Sequence, residues 1–521
     1  MSAVAPSAAP AASGTRGVNR GAALALLAVT QFVLVLDAGI VGVALPSLVK
    51  GLGFAQNDLS WVTNAYTLMF GGFLLLGGRL ADYFGRRRMF MGGLILFSVA
   101  SLIGSLSPSP GWLIGARAVQ GFAAAVVSPA ALSLLLISFP DNTDSEKAER
   151  NKALGVWGAV AGAGGAVGLI LGGMLTDWFG WEACFWVNVP IGVAAALLAP
   201  RVLPVGAPTG SRTGFDLAGA FTVTAGLAGV VFVLVNAQKV GWASPETLGL
   251  GAVSVALLVA FVVVEARTRV PLVPLSIFRR PVLRGANAAS VLQVMGLMPA
   301  FFFMTLYTQQ VLGYSPLKSG LSLVPIALAI VVAATVAGQL VARIGIKTTT
   351  VAGMVVMAAG LLWASGMPAD GSYVTDLLLP QVVIGLGAGH AWVALTIAGT
   401  AGASEEESGL ASGLLNTSQQ VGGALGLAIL AAVASARTSH LFATGDNQAQ
   451  ALSGGFGTAL LVGAGLGVLA AIATVFLLPG KNALPTVDEH AIELAEETDH
   501  IAILPVGDVV PGGVADAVGA K

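Results

Sequence analysis

The sequence has few charged residues, and this shortage decides its class. Asp, Glu, Lys and Arg make up 10% of the 521 residues, whereas a soluble domain carries about 25%. Hydrophobic residues account for 56% of the chain, and its mean hydropathy is +0.86. So few charges cannot cover the surface of a soluble protein. Soluble, disordered and fibrous classes are excluded, and a polytopic membrane protein remains.

Two further shortages narrow the possible functions. The single cysteine, Cys184, excludes an intrachain disulfide and a cysteine-rich metal site. A net charge of −1 gives no basic excess for holding nucleic acid. The Gly-rich stretch 162–165 lies within an apolar run and lacks the Lys of a phosphate-binding loop. We therefore expect no metal, no cofactor, no nucleic-acid partner and no enzyme activity.

Long apolar runs occur along almost the whole chain. A bilayer core needs about 20 apolar helical residues to cross it, and the alternating pattern of an outer-membrane barrel is absent. The sequence predicts an all-α protein with fourteen spans, at 21–46, 60–80, 89–107, 112–138, 153–175, 184–203, 216–237, 246–266, 285–312, 319–343, 348–367, 374–401, 409–436 and 456–479.

The distribution of Lys and Arg predicts the orientation of these spans. Placing both termini in the cytoplasm puts 20 of the 25 basic residues on that side and leaves four outside. This bias agrees with the positive-inside rule. Residues 482–521 contain eight acidic side chains and one basic one, which is typical of a solvated tail. We expect a multi-pass protein of the cytoplasmic membrane with both termini cytoplasmic.

Two charged residues fall inside predicted spans. Asp37 lies near the middle of the first span and Arg117 in the first third of the fourth. A charge at this depth costs at least about 2.5–3.5 kcal/mol and usually marks an ion or substrate path. The alternative is a purely structural ion pair between helices. Because such a pair gains little over apolar packing, a functional role is favoured.

An intramembrane carboxyl group can carry a proton. Desolvation favours its protonated form, while a nearby cation or an opening to water favours its ionised form. Alternating exposure to the two sides of the membrane can therefore load and release a proton. Asp37 is the candidate proton carrier. His390, in the twelfth span, is a second titratable group at depth, and a hydrogen bond within the bundle is as good an explanation for it as a substrate contact.

A loop motif after the second span resembles the signature loop of the major facilitator superfamily. It reads Gly78-Arg79-Leu80-Ala81-Asp82-Tyr83-Phe84-Gly85-Arg86-Arg87-Arg88. The resemblance implies a cytoplasmic gate that involves Gly78, Asp82, Gly85 and Arg86. A weaker copy at 338–347 ends the tenth span, with Ala342 in place of the acid. The copy suggests the two related halves of this superfamily.

Other segments are similar to the fourteen-span drug:proton antiporter branch of that superfamily. They are 36–46, 117–121, 185–192, 307–317 and 409–423. In that branch the Arg of the 117–121 motif is linked to proton coupling, which implies this role for Arg117. The fifth span resembles the antiporter motif and supplies Gly164, Gly168, Gly172 and Gly173, but Leu169 stands where the motif has Pro. The missing Pro puts the expected helix kink in doubt.

The resemblance implies the domain arrangement. We expect a cytoplasmic tail at 1–20, a six-helix bundle at 21–203, and a C-terminal six-helix bundle at 285–479. Spans seven and eight and an Arg-rich cytoplasmic joint would occupy 204–284, and the acidic cytoplasmic tail would follow at 480–521. The joint, over 265–284, is expected to lie along the membrane surface.

The resemblance also implies the activity, which is proton-driven export of amphipathic organic compounds such as antibiotics, drugs or secondary metabolites. A proton-coupled metabolite importer is the alternative, favoured by the missing Pro. The expected partners are the substrate, protons and the bilayer, and we expect a monomer. Candidate substrate-binding residues are polar or aromatic groups at depth, namely Gln31, Asn64, Tyr66, Tyr307, His390, Asn416 and Gln420.

Overall fold

The structure is a computed structural model that describes residues 19–55, 58–140, 143–204, 216–269, 271–400 and 405–478. Every regular element in these ranges is helical. We number the helices by span: α1 Arg20–Leu52, α2 Leu59–Phe84, α3 Arg86–Ser105, α4 Pro110–Ser138, α5 Asp144–Phe179, α6 Ala183–Val202, α7 Leu217–Val240, α8 Pro245–Arg267, α9 Pro281–Val311, α10 Pro316–Ile344, α11 Ile346–Ala364, α12 Tyr373–Thr400, α13 Glu405–Ala443 and α14 Gln448–Leu477.

Thirteen of these helices are long and apolar enough to cross a membrane. The remaining helix, α5, contributes a shorter apolar segment, Ala163–Phe179. The chain is therefore a multi-pass membrane protein, while the count of fourteen spans stays a prediction. Each predicted span overlaps one helix.

Some helices extend well beyond their apolar runs. α5 begins at Asp144 rather than 153, because Thr143 accepts a hydrogen bond from the Glu146 N–H and caps a polar first turn. α14 begins at Gln448 rather than 456, where Asn447 and Gln450 form a reciprocal capping box. Polar residues continue a helix where its end reaches water, and an apolar count cannot include them.

Two groups of six helices repeat the same neighbour pattern. In the first group α1 packs on α5, and α4 packs on both α2 and α3. In the second group α9 packs on α13, and α12 packs on both α10 and α11. The second pattern is the first one shifted by eight helices. We call α1–α6 the N-bundle and α9–α14 the C-bundle.

The bundles meet along two seams. At one seam α2 packs on α13, and at the other α5 packs on the start of α10. α7 lies against α2 and α13 and carries α8 on its outer side. The inserted pair α7–α8 therefore covers the α2–α13 seam.

We call the end of the bundles that contains Arg20 and Leu477 the terminal end, and the other the opposite end. At the terminal end, the chain between α8 and α9 forms a 3-10 turn, Leu275–Arg279. Leu272, Val273 and Ile277 are buried there in a cluster that includes Leu76 of α2. The expected joint is thus a packed turn between two helices.

Candidate functional site

The two intramembrane charges form an ion pair at the centre of the N-bundle. Arg117 Nη1 donates to Asp37 Oδ2 at 2.5 Å, and the two side chains are 1% and 0% exposed. The pair joins α1 to α4 across 80 residues of sequence. The structure therefore brings together the two residues that the sequence singled out for proton coupling.

Arg117 is held by three further contacts. Its Nε donates to the Val62 carbonyl of α2 at 3.1 Å, and its Nη1 also donates to Gln120 Oε1 at 3.1 Å. The guanidinium carbon lies 4.3 Å from the centre of the Tyr66 ring, a cation–π distance. The arginine is thus fixed from both helix backbone and side chains, as a buried charge requires.

Asp37 has a second donor. Asn188, which opens the longer part of α6, donates from Nδ2 to Asp37 Oδ1 at 2.6 Å and to Ser101 Oγ at 3.3 Å. Gln120 Nε2 donates to the same Ser101 oxygen at 2.5 Å. These residues form a continuous polar network over α1, α2, α3, α4 and α6. We call it the N-bundle network.

Sequence reasoning missed part of this network. Asn188 and Gln120 appeared only as parts of motifs, and Ser101 was not singled out. All three are buried. Each of them is a polar residue within an apolar run of the sequence. This signal is weak, because most Ser and Thr residues in such runs form a hydrogen bond within their own helix, as Ser98 does with the Leu94 carbonyl.

The network can couple a proton to a rearrangement. Ionised Asp37 neutralises Arg117 in a site without water access in this conformation. Protonation of Asp37 would remove that charge and leave Arg117 as an uncompensated cation, which is costly in a buried site. Gain of a proton therefore favours any rearrangement that gives Arg117 another partner or water.

The loop motif after α2 is a tight turn closed by an ion pair. Gly85 has φ +94° and both ends α2 and begins α3, a conformation that suits glycine. Arg86 donates from Nε to Asp82 Oδ1 at 3.0 Å. Arg79 donates to the Pro271 carbonyl, and so ties α2 to the chain after α8. Gly78 faces Pro129 of α4 at an ordinary distance.

The antiporter motif lies where three helices meet. A Cβ added at Gly168 would lie 2.9 Å from the Leu36 carbonyl of α1, and one at Gly172 would lie 2.7 Å from Ile40 Cα. Gly164 also faces α1, whereas Gly173 faces Leu317 of α10. These glycines let α5 approach both neighbours closely.

Leu169 occupies the motif position that usually holds Pro, and α5 runs through it as a continuous helix. Its carbonyl oxygen touches Gly320 of α10 so closely that a Cβ at Gly320 would collide with it. The position therefore lies in the contact between the two bundles.

A cavity of about 800 Å³ lies between the bundles at the opposite end. α1 supplies one wall, and α9, α13 and α14 supply the others. Gln309, which lines the cavity, donates to the Val43 carbonyl of α1 at 2.9 Å and so links the bundles. Rings and polar groups line the cavity, including Lys50, Phe302, Phe303, Gln310, Tyr314 and Phe442. Such a lining suits an amphipathic organic molecule.

The predicted substrate-binding residues lie at several separate places, and none lines this cavity. Tyr66 belongs to the N-bundle network. Tyr307 is buried and donates to the Pro368 carbonyl at 2.7 Å. Gln420 donates to Asn416 at 3.4 Å, one turn away on α13, and packs against Gly71 of α2.

The other three candidates have few or no hydrogen bonds to other described residues. His390 is half-buried, with Nδ1 2.7 Å from the Leu386 carbonyl of its own helix. Asn64 is fully buried, and neither amide atom has a hydrogen-bond partner among the described residues. Gln31 is half-buried, and its Oε1 likewise has no partner there. Their role in substrate binding stays a prediction.

Comparison with known proteins gives consistent results. The family model described as Major Facilitator Superfamily matches residues 27–427. The puromycin resistance protein Pur8 of Streptomyces alboniger is 38% identical over 92% of this chain and 94% of its own length. The cephamycin export protein CmcT of Amycolatopsis lactamdurans is 42% identical over 80% of this chain and 85% of its own.

A solved structure shows the same fold. The crystal structure of the POT family transporter PepTSo superimposes with a TM-score of 0.64, covering 87% of this chain and 97% of that one. The sequence identity is 14%, so the similarity concerns the fold alone.

Proposed function

The chain belongs to the Major Facilitator Superfamily, and from this premise we propose that it exports amphipathic organic compounds in exchange for protons. The substrates are antibiotics, other drugs or secondary metabolites. The names of the relatives support export, since one is a puromycin resistance protein and another a cephamycin export protein. Both match most of this chain, which supports a common activity.

The buried Asp37–Arg117 pair is the observation that carries proton coupling. It is the one pair of opposite charges buried within the described part of the two bundles. In the proposed cycle, a proton from outside neutralises Asp37 as the substrate leaves, and its release to the cytoplasm restores the ion pair. Arg117 responds because protonation removes its counter-charge.

The cavity at the opposite end gives the substrate an exit. With both termini in the cytoplasm, as the basic residues predict, this cavity opens to the outside. Its aromatic walls would hold the apolar body of a substrate, and Gln309 and Gln310 would bond polar groups. Opening the contact between Gln309 and Val43 would widen it.

Transport by an Asp37→Asn variant tests the coupling. Inverted membrane vesicles would be loaded with a proton gradient, and uptake of a fluorescent drug would be followed with and without an uncoupler. The wild type should accumulate drug only with the gradient, and Asp37→Asn should lose this accumulation. Asp177→Asn, which changes an exposed carboxylate of α5, is the matched control and should behave as the wild type.

Two results of the vesicle experiment would contradict the proposal. Gradient-driven accumulation retained by Asp37→Asn would refute the role of Asp37 in coupling. Proton-dependent flux in the opposite direction would identify an importer and refute export. A pump-deficient host grown on a panel of antibiotics, with the wild type expressed, would then define the substrate range.

A further inference from the structure

Two carboxyl groups are buried together at the terminal end of the inserted pair. Asp216 caps the start of α7, and Glu265 lies in the last turn of α8. They are 4% and 3% exposed. Neither belongs to the N-bundle network, and the proposed transport cycle does not use them.

Each carboxyl group has one oxygen engaged and one without a donor. Asp216 Oδ1 accepts from the Gly219 N–H at 2.7 Å, and Glu265 Oε2 accepts from the Val273 N–H at 3.1 Å. The other two oxygens, Asp216 Oδ2 and Glu265 Oε1, are buried and receive no hydrogen bond from the described residues.

The two oxygens without donors lie beside the same glycine. A Cβ placed on Gly219 would lie 2.6 Å from Asp216 Oδ2 and 2.8 Å from Glu265 Oε1, so both oxygens lie beside this glycine. Because both distances are measured from the same point, the two oxygens are neighbours in one buried site. Like charges that share a buried site disfavour each other's ionised form.

We propose that Asp216 and Glu265 form a proton-binding site, in which one shared proton joins Asp216 Oδ2 to Glu265 Oε1. The proton supplies the donor that both oxygens lack, and it leaves the pair with a single negative charge. Arg79 of α2 is a charged group that reaches the segment after α8. Its own hydrogen bond goes to the Pro271 carbonyl. The chain after α8 contacts Glu265 through the backbone N–H of Val273.

The shared proton has a structural consequence at the joint. Glu265 holds Val273, and Arg79 holds Pro271, so this short segment links α8 to the loop motif of α2. With the proton present, α7, α8 and the segment are joined. Loss of the proton at high pH places two negative charges together and separates them. The site is a pH-sensitive clamp on the connection between the bundles, and its existence does not depend on the proposed transport activity.

Infrared spectroscopy of the purified protein in lipid nanodiscs tests the site. The carbonyl stretch of a protonated carboxyl group should be present in the wild type across part of the range of about pH 5–9, which lies above the ordinary pKa of Glu. Glu265→Gln should lose this band, and Asp37→Asn should retain it. Glu246→Gln is the matched control, since it changes an exposed carboxylate at the other end of α8.

Thermal unfolding gives a second readout. Because the folded wild type holds a proton that the unfolded chain releases, its stability should fall as pH rises through this range. Glu265→Gln and Asp216→Asn each supply an amide donor in place of the proton. Both should fold and should lose this part of the pH dependence, whereas Glu246→Gln should keep it.

Two results would overturn the proposal. One is a Glu265→Gln variant whose carbonyl band and pH-dependent unfolding both match those of the wild type. The other concerns the wild type in sodium and in potassium at equal ionic strength. If sodium stabilises the protein and the carbonyl band disappears, a metal cation occupies the place of the proton. Neither result depends on measured transport, so each is separable from a failure of the export proposal.

Discussion

The N-bundle and the C-bundle share their helix pairing but not their buried charges. α4 packs on α2 and α3 as α12 packs on α10 and α11. The N-bundle buries Asp37 and Arg117, whereas the described buried polar residues of the C-bundle are all uncharged, such as Gln293 and Gln381. Pairing of helices therefore needs no charge, and the charges of the N-bundle require another explanation, which the proposed proton coupling would provide.

The same contrast occurs in the two loop motifs. Gly85 and Gly345 have φ values of +94° and +88°, and each ends one helix and begins the next. The backbone of the turn is therefore repeated. The ion pair between Asp82 and Arg86 is not, because Ala342 replaces the acid in the second copy. Here too, the geometry is common to both halves, and the ion pair of Asp82 with Arg86 belongs to one.

Removing the buried cation of the N-bundle should have the largest effect on stability. Arg117→Met leaves Asp37 buried without its counter-charge and should lower the free energy of unfolding by about 3–5 kcal/mol. Adding Asp37→Asn should restore most of that stability, although transport stays lost. Thermal unfolding in detergent measures both variants.

Gln293→Leu provides the comparison in the C-bundle. It removes a hydrogen bond from a fully buried amide to the Ala388 carbonyl and should cost only about 1 kcal/mol. If Arg117→Met were no more harmful than Gln293→Leu, the contrast between the bundles would have no energetic basis.

The seam of α5 with α10 can be disrupted by a substitution that changes no charged residue. Gly320→Ala places a methyl group against the Leu169 carbonyl and should cost about 1–3 kcal/mol through overpacking, with slower transport. Gly338→Ala in the same helix is the control, because its Cβ would meet no described atom within 4 Å. Equal unfolding temperatures and transport rates for the two variants would contradict the close contact.

The repeated turn predicts equal responses in the two halves. Gly85→Ala and Gly345→Ala each force a side chain into a positive-φ backbone and should each lower stability by about 1–3 kcal/mol. Chemical denaturation of both variants measures the difference between them. A loss confined to Gly85→Ala would show that the second turn is not an equivalent of the first.

The ion pair of the first loop should affect stability least. Asp82 is about half exposed, so solvent screens its pairing with Arg86, and Asp82→Asn should cost no more than about 1 kcal/mol. Transport should nevertheless decrease if the loop acts as a gate, whereas Ala342→Asn should change neither property. Unfolding and vesicle transport are measured side by side, and a destabilisation of several kcal/mol would assign Asp82 a structural role instead.

The sequence allowed the helices and the two central charges to be predicted, for related physical reasons. A membrane span needs a long apolar run, so hydropathy locates it, and a charge inside such a run is conspicuous. An ion pair between Asp37 and Arg117 was only one alternative at that point, because nothing in the spacing of 80 residues specifies which faces of α1 and α4 meet. The resemblance identified the family on its motifs, and the comparisons confirm it.

Other parts of the site depend on tertiary contacts that no local pattern contains. Ser101 is one of many serines in apolar runs, and only its position between Asn188 and Gln120 distinguishes it. Asp216 and Glu265 lie at the ends of two helices, where acids are ordinary. Their proximity follows from the antiparallel packing of α7 on α8.

The position of the inserted pair affects how the bilayer acts on the two seams. α7 and α8 cover the seam of α2 with α13, while α10, at the other seam, exposes Leu321, Leu328 and Val332 along one face. One seam is therefore covered by a helix pair, and the other lies beside apolar side chains exposed on the outside of the bundles. A change in bilayer thickness or lateral pressure would therefore act differently on the two seams.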